Sequence, residues 1–491
     1  MRTGRARLLA PIVALSVVAI AGCSFAPKEV VPDLPTATAY KEESQWQRAR
    51  PADELPHGQW WTQFREPQLD ELEKRLVDNS PDLAAALARY EQAKSYSDQL
   101  RSGLFPSVSV GASGERDRRS RDRPLTLSTA PMYYNSFTVD TEVNYELDLW
   151  GRIRNQVANG NDLAQASAAD LESARLSLQV QLADDYLVMR GLDRLNQLLA
   201  DTVTAYERAL QLTQTRHDGG IASGLDTDRA LAQLEAARSL SQQTLAQRAT
   251  AEHAIAALTG ASASQFSLAP QTTSMQHPEI PIGVPATLTQ RRPDIAAAER
   301  RVAAAAANVG VARAAFFPDI TLSGLIGYQS TSSGTWITAP DRFWSIGPSL
   351  MLPVFDAGSR RAQLAGARAA LAEASQNYRS VVLSAFQQVE DNLALLDHYR
   401  LALEDEHSAV SAATRSLDLT LTRYRQGAVS YLDVVSSQTI ALQTQRDDLN
   451  LEISRLRASV QLIRALGGGW NREPTSVAGQ SVAAEIFGHG G

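Results

Sequence analysis

Carboxylates at alternate positions are the first residues in this chain with chemistry to offer. In "FTVDTEVNYELD", beginning at Phe137, the acids Asp140, Glu142, Glu146 and Asp148 share one face of an extended strand with Thr138 and Asn144. Phe137, Val139, Thr141, Val143, Tyr145 and Leu147 share the other, which carries no ionic group. A row of acids on a wetted face attracts cations. Catalysis has less to stand on: HExxH, P-loop, GxSxG and GxGxxG patterns are all missing, and the seven histidines are dispersed. No catalytic residue, resident metal or cofactor is expected.

The one cysteine, Cys23, ends a different pattern. Arg2, Arg5 and Arg7 precede the apolar run "LLAPIVALSVVAI", too short to span a bilayer, and "AGC" follows. Residues 1–22 read as an export signal, and "IAGC" resembles a bacterial lipobox, which makes Cys23 an acylated N-terminus and lipid anchor. An acylated Cys23 leaves no thiol for disulfides or metals. The net charge of −7 is mild, with basic residues scattered among acids, so nucleic acid is not a partner.

The elements that must position these residues repeat. "NSPDLAAALARYEQAKS" from Asn79 matches "RRPDIAAAERRVAAAAA" from Arg291, and Pro106 matches Pro318 at the same offset as Pro81 and Pro293. Gly151 and Gly358, Arg216 and Arg423, Gly220 and Gly427, and Asp226 and Asp433 share a second, slightly shorter offset, so the length change falls in a loop between strands. The reading is a lipidated N-terminal segment, 23–78, and a first copy, 79–262, with a β-hairpin at 104–148, a long helix at 152–217 and a helix at 225–258. A linker follows at 263–290. The second copy, 291–470, has a hairpin at 317–355, a long helix at 359–424 and a helix at 432–466, and a tail occupies 471–491.

Each long helix would measure about 100 Å. The second carries a heptad seam at Val382, Val389, Leu396, Leu403, Val410, Leu417 and Tyr424; the first has a weaker one at Leu171, Leu178, Leu192, Leu199 and Tyr206, interrupted by Asp185. Aromatics are only 6%, as suits helices meeting through narrow seams. In the second hairpin Ile320, Leu322, Ile326 and Tyr328 alternate with polar residues, and Trp344, Ile346, Leu350 and Leu352 do so in its partner, where Pro348 is a departure of the kind a bulge can absorb. Twelve tilted residues cover about 28 Å, the depth of a bilayer core. Four strands cannot close a barrel, so two or three chains must contribute.

"WWTQFREPQLDEL" from Trp60, "YELDLWGRIR" from Tyr145, "VPATLTQRRPDI" ending at Ile295, "ARAAFFPDITLSG" from Ala312, "LPVFDAG" from Leu352, "RYRQGAVSYLDV" from Arg423 and "ALGGGW" from Ala465 together resemble the TolC-like outer-membrane efflux proteins, in particular their lipoprotein (NodT-type) branch. The resemblance implies a mixed α/β membrane protein. Three copies would form a twelve-stranded transmembrane β-barrel in outer-membrane lipid, continuing into a twelve-helix periplasmic α-barrel. It further implies the exit duct of a tripartite efflux system, working with a periplasmic adaptor (membrane fusion) protein and an inner-membrane RND-type pump. Ser24 after the cysteine fits outer-membrane sorting. The turns "RHDGGIASGLD" and "RYRQGAVSYLD" would close the periplasmic end, with Leu432, Asp433, Tyr424 and Asp226 as the gate and Gly220, Gly427 and Ser430 in the adaptor-contacting turns. Asp140, Glu142, Glu146 and Asp148 would then line the lumen. Ser436 stands where many relatives carry a second Asp, so a second acidic ring does not carry over.

Two alternatives keep parts of this reading. An exit duct for type I protein secretion keeps the pore and changes the pump. A periplasmic coiled-coil envelope protein without a pore keeps the helices and the lipid but leaves the amphipathic strands without a purpose.

Overall fold

The computed structural model of the protein describes residues 24–27, 40–42, 59–120, 131–278, 280, 291–334 and 337–469. The expected export signal, Cys23, most of the segment before Trp60, the stretch 281–290 and the tail from Trp470 lie outside the described residues. The chain forms two compact units. In chain order the elements are α1 (Pro67–Asn79), α2 (Pro81–Ser102), β1 (Ser107–Arg118), β2 (Tyr133–Glu146), α3 (Arg152–Asp218), α4 (Gly224–Leu258), α5 (Pro293–Ala314), β3 (Asp319–Ser330), β4 (Arg342–Met351), α6 (Ser359–Arg425) and α7 (Tyr431–Ala465). Corresponding helices have equal lengths: 22 residues in α2 and α5, 67 in α3 and α6, 35 in α4 and α7. Among the described residues no helix is long and apolar enough to cross a membrane.

The first unit holds residues 87–169 and 297–380 together with the N-terminal stretch. Its four strands form one antiparallel sheet in the order β1-β2-β3-β4. The register is continuous from Asp319 opposite Met351 to Tyr328 opposite Arg342, and Pro348 sits opposite Leu322 without a bulge. β4 is the edge strand of the sheet within one chain, so the amide that proline lacks is not needed to join two strands on both of its sides in the same chain. β2 starts earlier than the alternation suggests and ends at Glu146, two residues before Asp148. Asp148 belongs to the next element instead. Its carboxylate accepts the amides of Ile153 (3.1 Å) and Arg154 (2.8 Å), satisfying free donors at the start of α3. Asp356 does the same for Arg360 (3.2 Å) near the start of α6.

Residues 35–86, 170–296 and 381–491 make up the second unit. Its largest apolar core joins Trp60, Phe64, Leu69, Leu72 and Leu76 to Leu182, Tyr186, Leu187 and Met189 of α3, Val389 and Leu393 of α6, and Val460 and Ile463 of α7. The "WW" motif and the apolar spacing of α1 are thus a plug of core, in which Trp60, Trp61 and Phe64 are all buried. Along α6, Val382, Val389, Leu396, Leu403 and Tyr424 are buried as the heptad requires, whereas Val410 and Leu417 are half-buried. α3 keeps the later part of its expected seam, with Leu199 and Tyr206 buried, and departs from the earlier part: Leu171, Leu178 and Leu192 are half-buried, and the innermost stripe there runs through Leu182, Tyr186 and Met189 into Asp193. A neighbour on a second side widens the buried face, so Asp185 lies beside the core rather than breaking it.

Candidate channel site

The sheet separates charge completely. Cross-strand partners share a face, and the register aligns Val110, Thr141, Ile326 and Trp344 in one row and Val108, Val143, Gly324 and Ile346 in the next. That face is apolar and open: Val108 is 66% exposed, Trp344 68% and Ile346 69%. The opposite face aligns Ser109, Glu142, Leu325 and Ser345, and beside them Gly111, Asp140, Gly327 and Phe343. A sheet with an uncovered apolar face and an acidic, serine-rich reverse is suited to divide lipid from water.

The expected lumen acids fall into two pairs. Asp140 sits between Gly111 and Gly327 in register, with no neighbouring side chain in its row on either strand. Glu142 accepts a hydrogen bond from Asn144 Nδ2 at 2.8 Å. Glu146 and Asp148 are drawn into the strand–helix junction instead: Arg152 Nε donates to Glu146 at 2.9 Å, and Arg154 Nε donates to Asp148 at 3.2 Å. Each of these two acids therefore has a cation on the following helix.

The same junction holds a site that the sequence did not reveal. Phe25 stacks on Phe317 with centroids 4.7 Å apart and planes 3° from parallel, and Phe317 stacks in turn on Trp150 at 4.8 Å. Trp150 Nε1 donates to the Pro318 carbonyl at 2.8 Å, Arg313 to the Phe25 carbonyl at 3.0 Å, and Ser24 Oγ to Asn155 Oδ1 at 2.9 Å. Gly310 lets the segment pass, because a Cβ there would lie 2.6 Å from Asn155 Nδ2 and 2.9 Å from the Ala26 amide. Ser24 to Ala26, the residues after Cys23, are thereby fixed at the end of the sheet. Two adjacent aromatics before a proline were the available signal, but nothing in the sequence names their partner.

In the second unit the two turns share one construction. Gly220 (φ 74°) and Gly427 (φ 77°) follow the long helices in the left-handed conformation that terminates them. The amide of Ile221 bonds back to the Arg216 carbonyl at 2.8 Å, and that of Ala428 to the Arg423 carbonyl at 2.9 Å. Ser223 and Asp226 form a capping box on α4, while Asp433 accepts from the amide (2.9 Å) and hydroxyl (2.7 Å) of Ser430 at the start of α7. Leu432 is exposed, as is Ile221 on the other turn. Tyr424 is buried against Tyr431 (5.3 Å between centroids), with its hydroxyl 3.5 Å from Thr213 Oγ1. The chain brings Tyr424 to Thr213 and Tyr431, and occupies Asp226 with Ser223 and, at 3.6 Å, Arg229.

Residues 72–261 and 284–468 match the outer membrane efflux protein family. A probable efflux pump outer membrane protein, TtgC, of Pseudomonas putida is 30% identical over 95% of this chain and 96% of its own. The pyoverdine export outer membrane protein OpmQ of Pseudomonas aeruginosa is 31% identical over 89% of this chain and 93% of its own. Among solved structures, the outer-membrane channel OprN is 30% identical with a TM-score of 0.86, covering 91% of this chain and all of its own. The CmeC outer membrane channel of Campylobacter jejuni shares the fold at a TM-score of 0.87 and 23% identity, covering 92% of this chain and 96% of its own. This is a family of efflux channels rather than enzymes, and the protein is an exit duct of tripartite efflux placed in the outer membrane and extending into the periplasm. The chain belongs to the outer membrane efflux protein family.

Proposed function

We propose that three copies of the chain close one twelve-stranded barrel and one twelve-helix tunnel, and that the assembly passes small organic molecules outward. The observation that carries this is the sheet: four strands with an exposed apolar face and two free edges, β1 and β4, in a chain that spans the outer membrane. Free edges in lipid are very costly, because nothing there pairs with open backbone groups. β4 of one copy meets β1 of the next, and three sheets of four supply enough strands for a closed barrel. The matched helices support a tandem duplication, with copies at 79–262 and 291–470 joined by 263–290.

In this reading Cys23 is acylated and its lipid enters the inner leaflet beside the pinned Ser24 to Ala26. The two capped turns form the periplasmic constriction, where Leu432 and Asp433 from three chains converge. Their outer surfaces, around Gly220, Gly427 and Ser430, receive a periplasmic adaptor that links the duct to an RND-type pump in the inner membrane. Relatives named for efflux pumps and for pyoverdine export favour a small-molecule cargo over secreted protein. Planar-bilayer recording of the purified protein tests the channel: discrete, long-lived conductance steps are expected, and protein that inserts without conducting would refute the reading.

A further inference from the structure

Every acidic residue of the four strands lies on one face of the sheet, and every basic residue lies on the other. Glu115, Asp117, Asp140, Glu142, Glu146 and Asp319 share the serine-rich face, whereas Arg116, Arg118 and Arg342 share the apolar face. The register makes this unambiguous: Arg118 pairs with Tyr133 and Arg116 with Asn135, two steps beyond the Gly114–Phe137 pair, and Arg342 pairs with Tyr328. All three arginines are exposed. None has a carboxylate partner among the described residues; Arg118 lies over the Tyr133 ring at 5.6 Å.

Their height is as informative as their face. Along β1 the outward positions read Val108, Val110, Ala112, Gly114, Arg116 and Arg118, so the apolar run gives way to cations only where the strand approaches its connection to β2. β4 begins at Arg342, just after the connection from β3, and its outward positions then continue as Trp344 and Ile346. These connections are at the end of the sheet away from the helices, and the helices extend into the periplasm, so the arginines ring the outer-leaflet end of the band. Tyr133, Tyr328 and Trp344 stand beside them as the aromatic belt of a membrane interface.

A guanidinium facing hydrocarbon without a counter-ion is costly, whereas one that reaches a phosphate forms a paired, charge-assisted contact. We infer that Arg116, Arg118 and Arg342 form a docking surface for the phosphorylated headgroup of an outer-leaflet lipid. The inference rests on the barrel reading, which turns the apolar face toward lipid. It also gives the surface its shape: where β4 of one copy meets β1 of the next, Arg342 approaches Arg116 and Arg118 of the neighbour, so each seam between copies carries one cluster. A lipid bound there would bridge two chains. Excluding acids from this face fits the same role, since a carboxylate would repel the phosphate and compete for the guanidinium.

The test uses the full-length lipidated protein in detergent, with two probes: fully phosphorylated lipid A and its dephosphorylated form. Retention on the purified protein is measured by native mass spectrometry, and conductance is recorded on the same preparations. Wild type should retain the phosphorylated form at least about tenfold more strongly than the dephosphorylated one, a comparison that needs no variant. The combined Arg116→Gln, Arg118→Gln and Arg342→Gln variant should lose that preference while still conducting. Equal retention of both probes by wild type, or a preference that survives in the conducting variant, would overturn the docking surface and leave the barrel standing. A wild type that neither conducts nor assembles would remove the barrel and the docking surface together.

Discussion

The guanidinium of Arg216 lies over the ring of Tyr424, 4.7 Å from its centroid, and donates to the Tyr424 carbonyl at 2.7 Å. One side chain near the end of α3 thereby holds both the last turn of α6 and the aromatic ring that fills it. The contact adds a charged donor to a carbonyl that also accepts the Gly427 amide at 2.9 Å, and places a cation where the helix dipole favours one. Arg216→Ala removes the cation–π and the charge-assisted bond together, at a cost of about 2 kcal/mol. A turn so loosened should raise the resting conductance. Tyr424→Phe keeps the ring and gives up only the long contact to Thr213, so its conductance should stay close to wild type. The opposite ranking of these two variants in single-channel records would move the latch elsewhere.

Asp226 and Asp433 occupy equivalent caps, and replacing either by Ala should cost about 1 kcal/mol of local stability. Only Asp433 is proposed to face the constriction. Asp433→Ala should therefore weaken block by divalent cations added from the periplasmic side, and Asp226→Ala should not. Equal block in both variants would reduce Asp433 to a helix cap.

The pairing of Glu146 with Arg152 and Asp148 with Arg154 divides the four lumen acids by function. Asp140→Asn combined with Glu142→Gln should reduce cation preference in reversal-potential measurements. Glu146→Gln combined with Asp148→Asn should instead lower thermal stability by freeing the start of α3, with a smaller effect on selectivity. An anion-selective wild type would contradict the assignment of this face to the lumen.

Glu73 makes a pH-dependent prediction. Its side chain is fully buried on α1, neither carboxyl oxygen has a hydrogen-bond partner among the described residues, and Asp70 lies one turn away on the same helix. Burial first, and the nearby Asp70 second, push its carboxyl well above the usual range, so the folded chain holds a proton there that the unfolded chain releases. Stability is accordingly undiminished below about pH 4.5 and falls as pH rises toward the elevated folded-state value. Glu73→Gln should abolish that fall and raise the unfolding midpoint at pH 8, by an amount corresponding to roughly 1–3 kcal/mol. Identical midpoints for wild type and variant at pH 8 would mean that Glu73 is solvated or paired after all.

The N-terminal seat predicts a separation of two properties. Cys23→Ala should abolish palmitate labelling and leave a conducting channel. Phe25→Ala should keep the label yet release Ser24 to Ala26 from Phe317, so that limited proteolysis cuts the N-terminus faster. Protease resistance equal to wild type in Phe25→Ala would show that the stack holds nothing in place.

Strand alternation and heptad spacing are local, and that is why they can be read from the chain. The strand at Phe137 shows itself because each residue's face depends only on parity, and the turns at Gly220 and Gly427 because their glycine, serine and acid lie within a few positions. Alternation alone overruns the end of β2 by two residues, because Asp148 obeys the alternation while serving the helix after it. The stripe of α3 escapes it for a related reason: periodicity shows one seam, and the second neighbour that buries Leu182 and Met189 comes from distant sequence. Arg216 on Tyr424 and Phe25 on Phe317 are pairings across hundreds of residues. Composition carries no trace of such contacts.

The claim on which the rest depends is that β1 and β4 of different copies pair to close a barrel of three chains. Ser113→Cys on β1 and Ser345→Cys on β4 place thiols on the same face of the sheet, in a protein whose native cysteine is the proposed acylated terminus. Within one chain two strands lie between those edges, a separation of about 14 Å from strand spacing alone, so a short bismaleimide can join them only across copies. Treated in membranes and resolved under denaturing conditions, the double variant should run as a covalent trimer, and each single variant as a monomer. A double variant that stays monomeric, or a ladder that extends beyond three chains, would contradict the closed three-chain barrel.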